Sequence, residues 1–414
     1  MLDIKKECTG CMACVNSCAA GAMKIKENEY GFVMPVIDME MCVGCGACEA
    51  VCPIVTFPEG MDNVRNDVSG AEEILETQKG DNKILGAWSM FHKSPEVVKK
   101  SSSGGAFYGL AEKVLQNGGI VFGCNYDIKE KKAVLSDTDK LPLDALLTSK
   151  YVESYIGEDG MKRVEAEVLS GRQVLFCGTP CQAAGLRSFL GRDYDNLVIV
   201  DFACGGVAAQ PYLKNYLESL EAEYGSKLKE ISFRDKHYGW GQYCFTAEFE
   251  NGRIYRKTAM SDPYFFCFLR SSMQRLSCHG CHFSADHRSD ICLSDFWKCD
   301  HFEVDGNERK GLSLVLAFTE KGKAKVAGLF DSMNMEELPL DMASYNLKSR
   351  FCPQSKLEEI YRDMSMALND GVAALRNFLL TEEQKKFYEE RQRIMDDEKE
   401  AALHSDIVGK GQIM

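Results

Sequence analysis

Long hydrophobic runs are missing from this sequence. No stretch of 18 apolar residues occurs, so no segment reads as a membrane span. The start, MLDIKKEC, lacks the apolar core of a secretory signal. Without either feature, the expected location is cytoplasmic. Positive charge is also short: 49 Lys and Arg stand against 62 Asp and Glu, a net charge of -13. That sign repels nucleic acid and anionic membrane, so neither is an expected partner, whereas a partner with a basic patch suits it. No GxGxxG opens a βαβ unit, so a nicotinamide dinucleotide site has no support.

Cysteine, in contrast, is plentiful, with 19 in 414 residues. In a reducing compartment these are not expected to form disulfides, and clustered spacings then point to metal. Cys8, Cys11, Cys14 and Cys18 recur as Cys42, Cys45, Cys48 and Cys52, each offset by 34 residues. Both halves fit C-x2-C-x2-C-x3-C, and the second ends in Cys52-Pro53 where the first ends in Cys18-Ala19. Three thiolates two residues apart wrap one cubane from a tight loop whose backbone N–H groups stabilise its negative charge. The fourth ligand comes from the other half. Cys8, Cys11, Cys14 and Cys52 are therefore assigned to one 4Fe-4S cluster, and Cys42, Cys45, Cys48 and Cys18 to a second. Structural zinc is the rival, but it needs only two separated pairs. Between the halves, the alternation of Ile25, Tyr30, Phe32 and Val36 reads as a hairpin.

Residues 58–82 are polar and read as a linker with one short helix near Ala71–Gln78. Beyond them, strand-like runs at Ile120–Phe122, Val174–Phe176 and Leu197–Val200 alternate with helical patterns at Phe107–Gln116, Gly160–Leu169 and Pro211–Tyr224. That alternation indicates α/β structure with some parallel sheet. After Ser226 the pattern turns β-like at Ile231–Arg234, Tyr243–Glu250 and Gly252–Arg256. Thr381 and Gln384 form a capping box opening a charged helix to Leu403. The fold class expected is α+β: a small bacterial-type ferredoxin domain, a mixed α/β domain (flavin-binding, as the resemblance given below implies) and a C-terminal helix. The divisions are 1–57, the linker 58–82, two parts at 83–160 and 161–378, and a tail at 379–414.

A second cysteine set lies in GTPCQAAGLR (Cys181), VDFACGG (Cys204) and SCHGCHF (Cys278 and Cys281), followed by RSDICLSDFWKC with Cys292 and Cys299. Spacing alone leaves two readings: a further 4Fe-4S cluster, or buried cysteines that pack. Cys124, Cys244, Cys267 and Cys352 are read as packing, and His92, His237, His279, His282 and His287 as structural.

Residues from about 85 to 378 resemble the beta-subunit family of the deazaflavin (coenzyme F420) hydrogenases and dehydrogenases. The matching residues are SSSGGAF at Ser101–Phe107, GGIVFGCNYD at Gly118–Asp127, SKYVES at Ser149–Ser154, GTPCQAAGLR at Gly178–Arg187, FRDKHYGW at Phe233–Trp240, and CHGC with the following SDFW. The chain departs from the family pattern at Ser294 and Lys298, where glycine is usual. The resemblance implies a flavin oxidoreductase that binds FAD and a 4Fe-4S cluster. It implies that Cys181, Cys204, Cys278 and Cys281 ligate a third cluster, with Cys292 and Cys299 as rivals for one place. It implies flavin contacts at Ser102, Ser103, Gly104, Gly105, Lys150, Gly178 and Thr179, with Gly178–Pro180 leading to Cys181 and making flavin and cluster neighbours. Glycines and a helix N-terminus suit a phosphate. The expected function exchanges a hydride with a deazaflavin or another small molecule and passes single electrons through the clusters to a redox partner protein or ferredoxin. The alternative is a non-catalytic 4Fe-4S electron-transfer subunit feeding a partner reductase.

Overall fold

The computed structural model describes residues 7–56, 84–297, 310–343 and 356–411. The expected linker, its helix near Ala71–Gln78, Lys298, Cys299 and Cys352 lie outside them. The repeat folds as two loops, each ending in a short helix (Ala13–Ser17 and Ala47–Ala50), with a hairpin between them. The hairpin strands β1 (Met23–Glu27) and β2 (Val33–Ile37) pair antiparallel. The 34-residue repeat extends to the backbone. Gly10 and Gly44 have φ +70° and +68°, and Met12 and Gly46 have φ +64° and +72°. This left-handed conformation turns successive N–H groups inward, which is the geometry that binds an anion. Met12 adopts it without being glycine, held by its burial at 1% exposure.

The remaining chain builds a large sheet from β3 (Gly86–His92), β4 (Ile120–Asp127), β5 (Lys132–Asp137), β6 (Val174–Cys177), β7 (Leu197–Phe202), β11 (Ile291–Asp295), β12 (Ser313–Ala317) and β13 (Met333–Glu337). These eight strands lie in the order β13-β3-β12-β11-β7-β6-β4-β5. The central β4, β6, β7 and β11 run parallel, and the outer pairings are antiparallel. The runs Val174–Phe176 and Leu197–Val200 are apolar throughout because helices cover both faces of the parallel strands. The helices Ala106–Gln116, Gly160–Leu169 and Pro180–Leu190 fall where the periodicity places them.

Between β7 and β11 the chain inserts the helix Gln210–Tyr224 and an antiparallel sheet of β8 (Leu228–Asp235), β9 (Cys244–Phe249) and β10 (Ile254–Thr258). The helix Pro263–Leu269 (PYFFCFL) is apolar nearly all round and correspondingly buried, and Asp262 caps it by accepting from Phe265 N at 2.7 Å. The C-terminal helix spans Glu382–Gly411, longer than the sequence pattern indicates. Its capping box forms, with Thr381 N donating to Gln384 and Gln384 N donating to Thr381 Oγ1. It docks on the small sheet, where Thr258 N donates to Gln392 Oε1 at 2.9 Å. Among the described residues no helix is long and apolar enough to cross a membrane.

The N-terminal module shares a core with the large sheet. Cys11, Met12, Cys14, Val15 and Met23 pack with Phe122, Val164, Phe176 and Leu186. Asn16, 1% exposed, donates to Gly157 O and accepts from Met161 N, so it caps the helix Gly160–Leu169 from across the chain. The helix Pro180–Leu190 approaches so closely that a Cβ on Gly185 would stand 2.9 Å from Cys11 Sγ. Gly185→Val is expected to cost about 1–3 kcal/mol by overpacking and to loosen residues 7–56 against the sheet. Urea midpoints and limited proteolysis of the module check this; an unchanged midpoint and cleavage pattern contradict it.

Candidate functional site

Three recesses follow one another through the molecule. The first lies in the N-terminal module, where Cys8, Cys11, Cys14 and Cys52 line a cavity of about 280 Å³. All four are buried at 7–8% exposure. Burial first, then the neighbouring Cys8 and Cys52, push the Cys14 thiol up to about 12. Thiols this crowded and dry ionise only against a cation, which is the chemistry of a metal cluster. The other half-site is more open: Cys42 and Cys45 are exposed, while Cys18 and Cys48 are half-buried.

The second recess is lined by Cys181, Cys204, Cys278 and Cys281, residues brought together from well-separated stretches. Cys181 opens the helix Pro180–Leu190, whose capping box pairs Thr179 with Gln182, and Thr179 Oγ1 lies 3.1 Å from Cys181 Sγ. Cys204 follows the end of β7, and the short 3-10 helix Leu276–Gly280 holds Cys278 beside Cys281. Burial raises the Cys281 thiol well above its ordinary value, and Cys181, Cys278 and Cys204 add to the effect in that order. Thr9 and Gly10, between Cys8 and Cys11, also line this recess. The module loop thus separates the two cavities by only its own thickness.

Cys292 does not line that recess. It sits in β11 beside Asp201 of β7, buried with His287, and the ligand-type atoms of these three lie within 4.8 Å of one another. His287 Nδ1 lies 2.8 Å from Asp201 Oδ2, and the imidazole stacks on Phe318.

The third recess is a pocket of about 430 Å³ at the carboxyl ends of β6, β7 and β11, where open α/β sheets place ligands. Ser102, Ser103, Gly105, Lys150, Gly178 and Thr179 line it. Gly104 lies behind them, where a Cβ would meet Met90 O at 2.3 Å and Ser313 N at 2.8 Å. Gly105, at φ +92°, opens the helix Ala106–Gln116 toward the pocket. The serine hydroxyls are engaged within the protein. Ser101 and Ser103 donate to Val97 O and Leu312 O, and Ser102 pairs with Ser149. They fix the loop, leaving the helix N-terminus as its source of positive character. Lys150 is half-buried, its Nζ donating to Leu147 O and Ala145 O; loss of water around the amine lowers its pKa, and nearby Cys124 and Cys177 oppose that. Cys204, Thr179 and Ser154 line this pocket and the cysteine recess alike, so the two are contiguous.

Several residues here carried no sequence signal of their own. Cys177 ends β6 in the pocket wall. Arg234, 5% exposed, holds Asp295 with both terminal nitrogens, donates to Tyr151 OH and Ser102 O, and lies 4.1 Å over the Tyr243 ring. Its Nε is buried without a partner among the described residues, an unfilled donor at the pocket wall. Lys236 donates to Val98 O and Ser103 O and braces the serine loop from behind. Arg234, Asp235 and Lys236 fall in a stretch that the family resemblance marks, which is the signal that could have found them.

This arrangement defines a class by its architecture: a ferredoxin-type, cysteine-rich module joined to a mixed α/β domain. Comparison with known proteins is more specific. Residues 171–342 match the family model for the C terminus of the coenzyme F420 hydrogenase/dehydrogenase beta chain, and residues 7–55 match the 4Fe-4S dicluster domain. The likeness to that beta-subunit family is thus confined to a C-terminal segment of the chain, and the N-terminal segment is of the 4Fe-4S-binding dicluster type.

The B component of the ion-translocating oxidoreductase complex of Methanosarcina acetivorans is 44% identical over 46 residues, which is 11% of this chain and 16% of that protein. The ferredoxin-type protein NapF of Haemophilus influenzae is 36% identical over 44 residues, 11% of this chain and 25% of that one. The chain thus spans a quarter or less of these curated relatives. A solved structure of the F420-reducing [NiFe] hydrogenase complex from Methanosarcina barkeri, a xenon derivative, superposes at TM-score 0.43 and 17% identity over 71% of this chain and 91% of that one. That similarity is too slight to carry an argument.

Burial, reinforced by the Arg234 charge, lowers Lys236 to about 7. From about pH 7 to pH 10.4 the unfolded chain binds a proton that the folded one has lost, so stability rises with pH across that window. Below pH 7 both states are protonated and the cost of the buried charge is complete. Between pH 7 and 9, wild type is expected to gain on Lys236→Met by at most about 1.4 kcal/mol per pH unit in urea denaturation. A flat difference contradicts the assignment.

Proposed function

We propose that this chain is an FAD-dependent iron–sulfur oxidoreductase in which the pocket, the recess of four cysteines and the two ferredoxin half-sites form one electron path. The observation that carries this reading is contiguity. Cys204 and Thr179 belong to both pocket and recess, and Thr9 and Gly10 belong to both recess and module loop. When bound, FAD supplies the conversion between a hydride or electron pair and the single electrons that clusters carry.

The chain's residues fit such a group. The N-terminus of the helix Ala106–Gln116, opened by the pocket-lining Gly105, suits its phosphates. Lys150 and Arg234 put two cations on the pocket wall, and the unpartnered Arg234 Nε is a donor for it. Gly178 and Thr179 add backbone to the same pocket wall. Cys181, Cys204, Cys278 and Cys281 are proposed to hold the third 4Fe-4S cluster; Cys8, Cys11, Cys14 and Cys52 the second; and Cys18, Cys42, Cys45 and Cys48 the outermost. Exposed Cys42 and Cys45, beside exposed Met39, Met41 and Val43, make the last half-site the natural place for a redox partner. The two-electron substrate is proposed to be a deazaflavin or another small hydride donor or acceptor.

Anaerobically purified protein is expected to contain about twelve irons and one FAD per chain, and Cys181→Ala about eight irons. Iron, sulfide and flavin quantification on one sample checks this. About eight irons without flavin in wild type instead identifies a non-catalytic electron-transfer subunit.

A further inference from the structure

We propose that Arg275 is a positioning residue that raises the reduction potentials of two clusters at once, the one held by Cys8, Cys11, Cys14 and Cys52 and the one held by Cys181, Cys204, Cys278 and Cys281. This rests on the third-cluster reading above and adds to it a single charged group shared by both clusters. Arg275 is 3% exposed and sits where the module meets the large domain. Its Nη1 donates to Cys8 O at 3.4 Å and to Met34 Sδ at 3.0 Å. Its Nη2 donates to Val33 O at 2.9 Å and to Glu153 Oε1. The guanidinium carbon lies 4.9 Å from the centre of the Phe32 ring. Its own backbone N–H donates to Val207 O, beside the cysteine recess. The residue therefore touches both sides of the junction.

One donor of this fork is left over. Arg275 Nε is buried and has no partner among the described residues. Cys8, reached through its carbonyl, stands on the module side, and Cys278, whose N–H donates to Arg275 O at 2.9 Å, on the recess side. An unused N–H in a dry site between two cysteine clusters is a donor suited to cluster sulfur. A guanidinium does not lose its proton in a protein, so the charge is permanent. Reduction adds an electron to a cluster, and a fixed positive charge beside it favours the reduced form. Glu153 is the counter-charge, and its effect has the opposite sign. Gly10, in the loop between the two cavities, faces the arginine more closely than the glutamate: a Cβ there would stand 2.8 Å from Arg275 Nη2 and 3.3 Å from Glu153 Oε1. The guanidinium is thus the nearer charge to the loop that parts the two cavities, while Glu153 lines the recess as its counter-charge. The Cys18/Cys42/Cys45/Cys48 half-site, with its exposed Cys42 and Cys45, stands outside this contact and serves as an internal reference.

The test is redox titration monitored by electron paramagnetic resonance on the whole chain with its clusters, for wild type, Arg275→Gln, Arg275→Lys and Glu153→Gln. Arg275→Gln is expected to lower both neighbouring potentials, shifting the reduced-to-oxidised ratio about tenfold at fixed potential, 59 mV for one electron. Glu153→Gln is expected to raise both, Arg275→Lys to stay within about threefold of wild type, and the outermost cluster to stay put in all three. Loosened packing would move Arg275→Gln and Glu153→Gln in the same direction or displace all three clusters together. Either result, or no shift, overturns the inference. If Arg275→Gln does not fold, the upward shift in Glu153→Gln decides alone. Iron analysis of wild type separates the two failures. Twelve irons without these shifts overturns only the Arg275 role, whereas eight irons overturns the third-cluster reading and this inference with it.

Discussion

The ion pair between Arg275 and Glu153 is the interaction on which the junction depends. Both side chains are removed from water, a condition that costs several kcal/mol per ion unless each is fully paired. Here the pairing is spread over the hairpin. Glu153 accepts from Val33 N while Arg275 reaches Val33 O, Met34 Sδ and Cys8 O. The desolvation cost is offset only when the module is seated. Removing one partner strands the other, which is worth about 3–5 kcal/mol in buried pairs generally. The pair therefore favours one register of module on domain, and that register places Thr9 and Gly10 against the cysteine recess.

Around this junction the fold brings remote segments together. The parallel strands β6 and β7 each end at a functional loop, one leading to Thr179 and Cys181, the other to Cys204. The insertion after β7 returns with Cys278 and Cys281 before β11 completes the sheet. The pocket and recess then share walls because they occupy the same strand ends. In the proposed function this shared wall shortens the path between a two-electron cofactor and a one-electron carrier.

Much of this was legible in the sequence where the signal is local. The 34-residue repeat marks the ferredoxin module, and the φ values of Gly10, Met12, Gly44 and Gly46 carry the same repeat. Apolar runs revealed β4, β6 and β7 because parallel strands are covered on both faces. Strands β3, β12 and β13 escaped notice. GAWSMFH and MNMEE lack alternation, and their pairing joins residues more than 200 apart. Arg275 stands in SSMQRLSC with nothing to distinguish it, since its role comes from the hairpin it meets and not from its neighbours. Asp201, His287 and Cys292 are likewise a product of strand pairing. The hydroxyls of Ser101 and Ser103 donate to Val97 O and Leu312 O, and the second of these contacts, with a residue 209 positions away, had no local sequence signal.

The most direct test of the account is the electron paramagnetic resonance spectrum of the fully reduced protein. The account places the Cys8/Cys11/Cys14/Cys52 cluster and the Cys181/Cys204/Cys278/Cys281 cluster on either side of one loop. It predicts a broadened, spin-coupled signal that simplifies when Cys181 is replaced by alanine. A spectrum that is the plain sum of independent clusters, unchanged in line shape by that substitution, would contradict it.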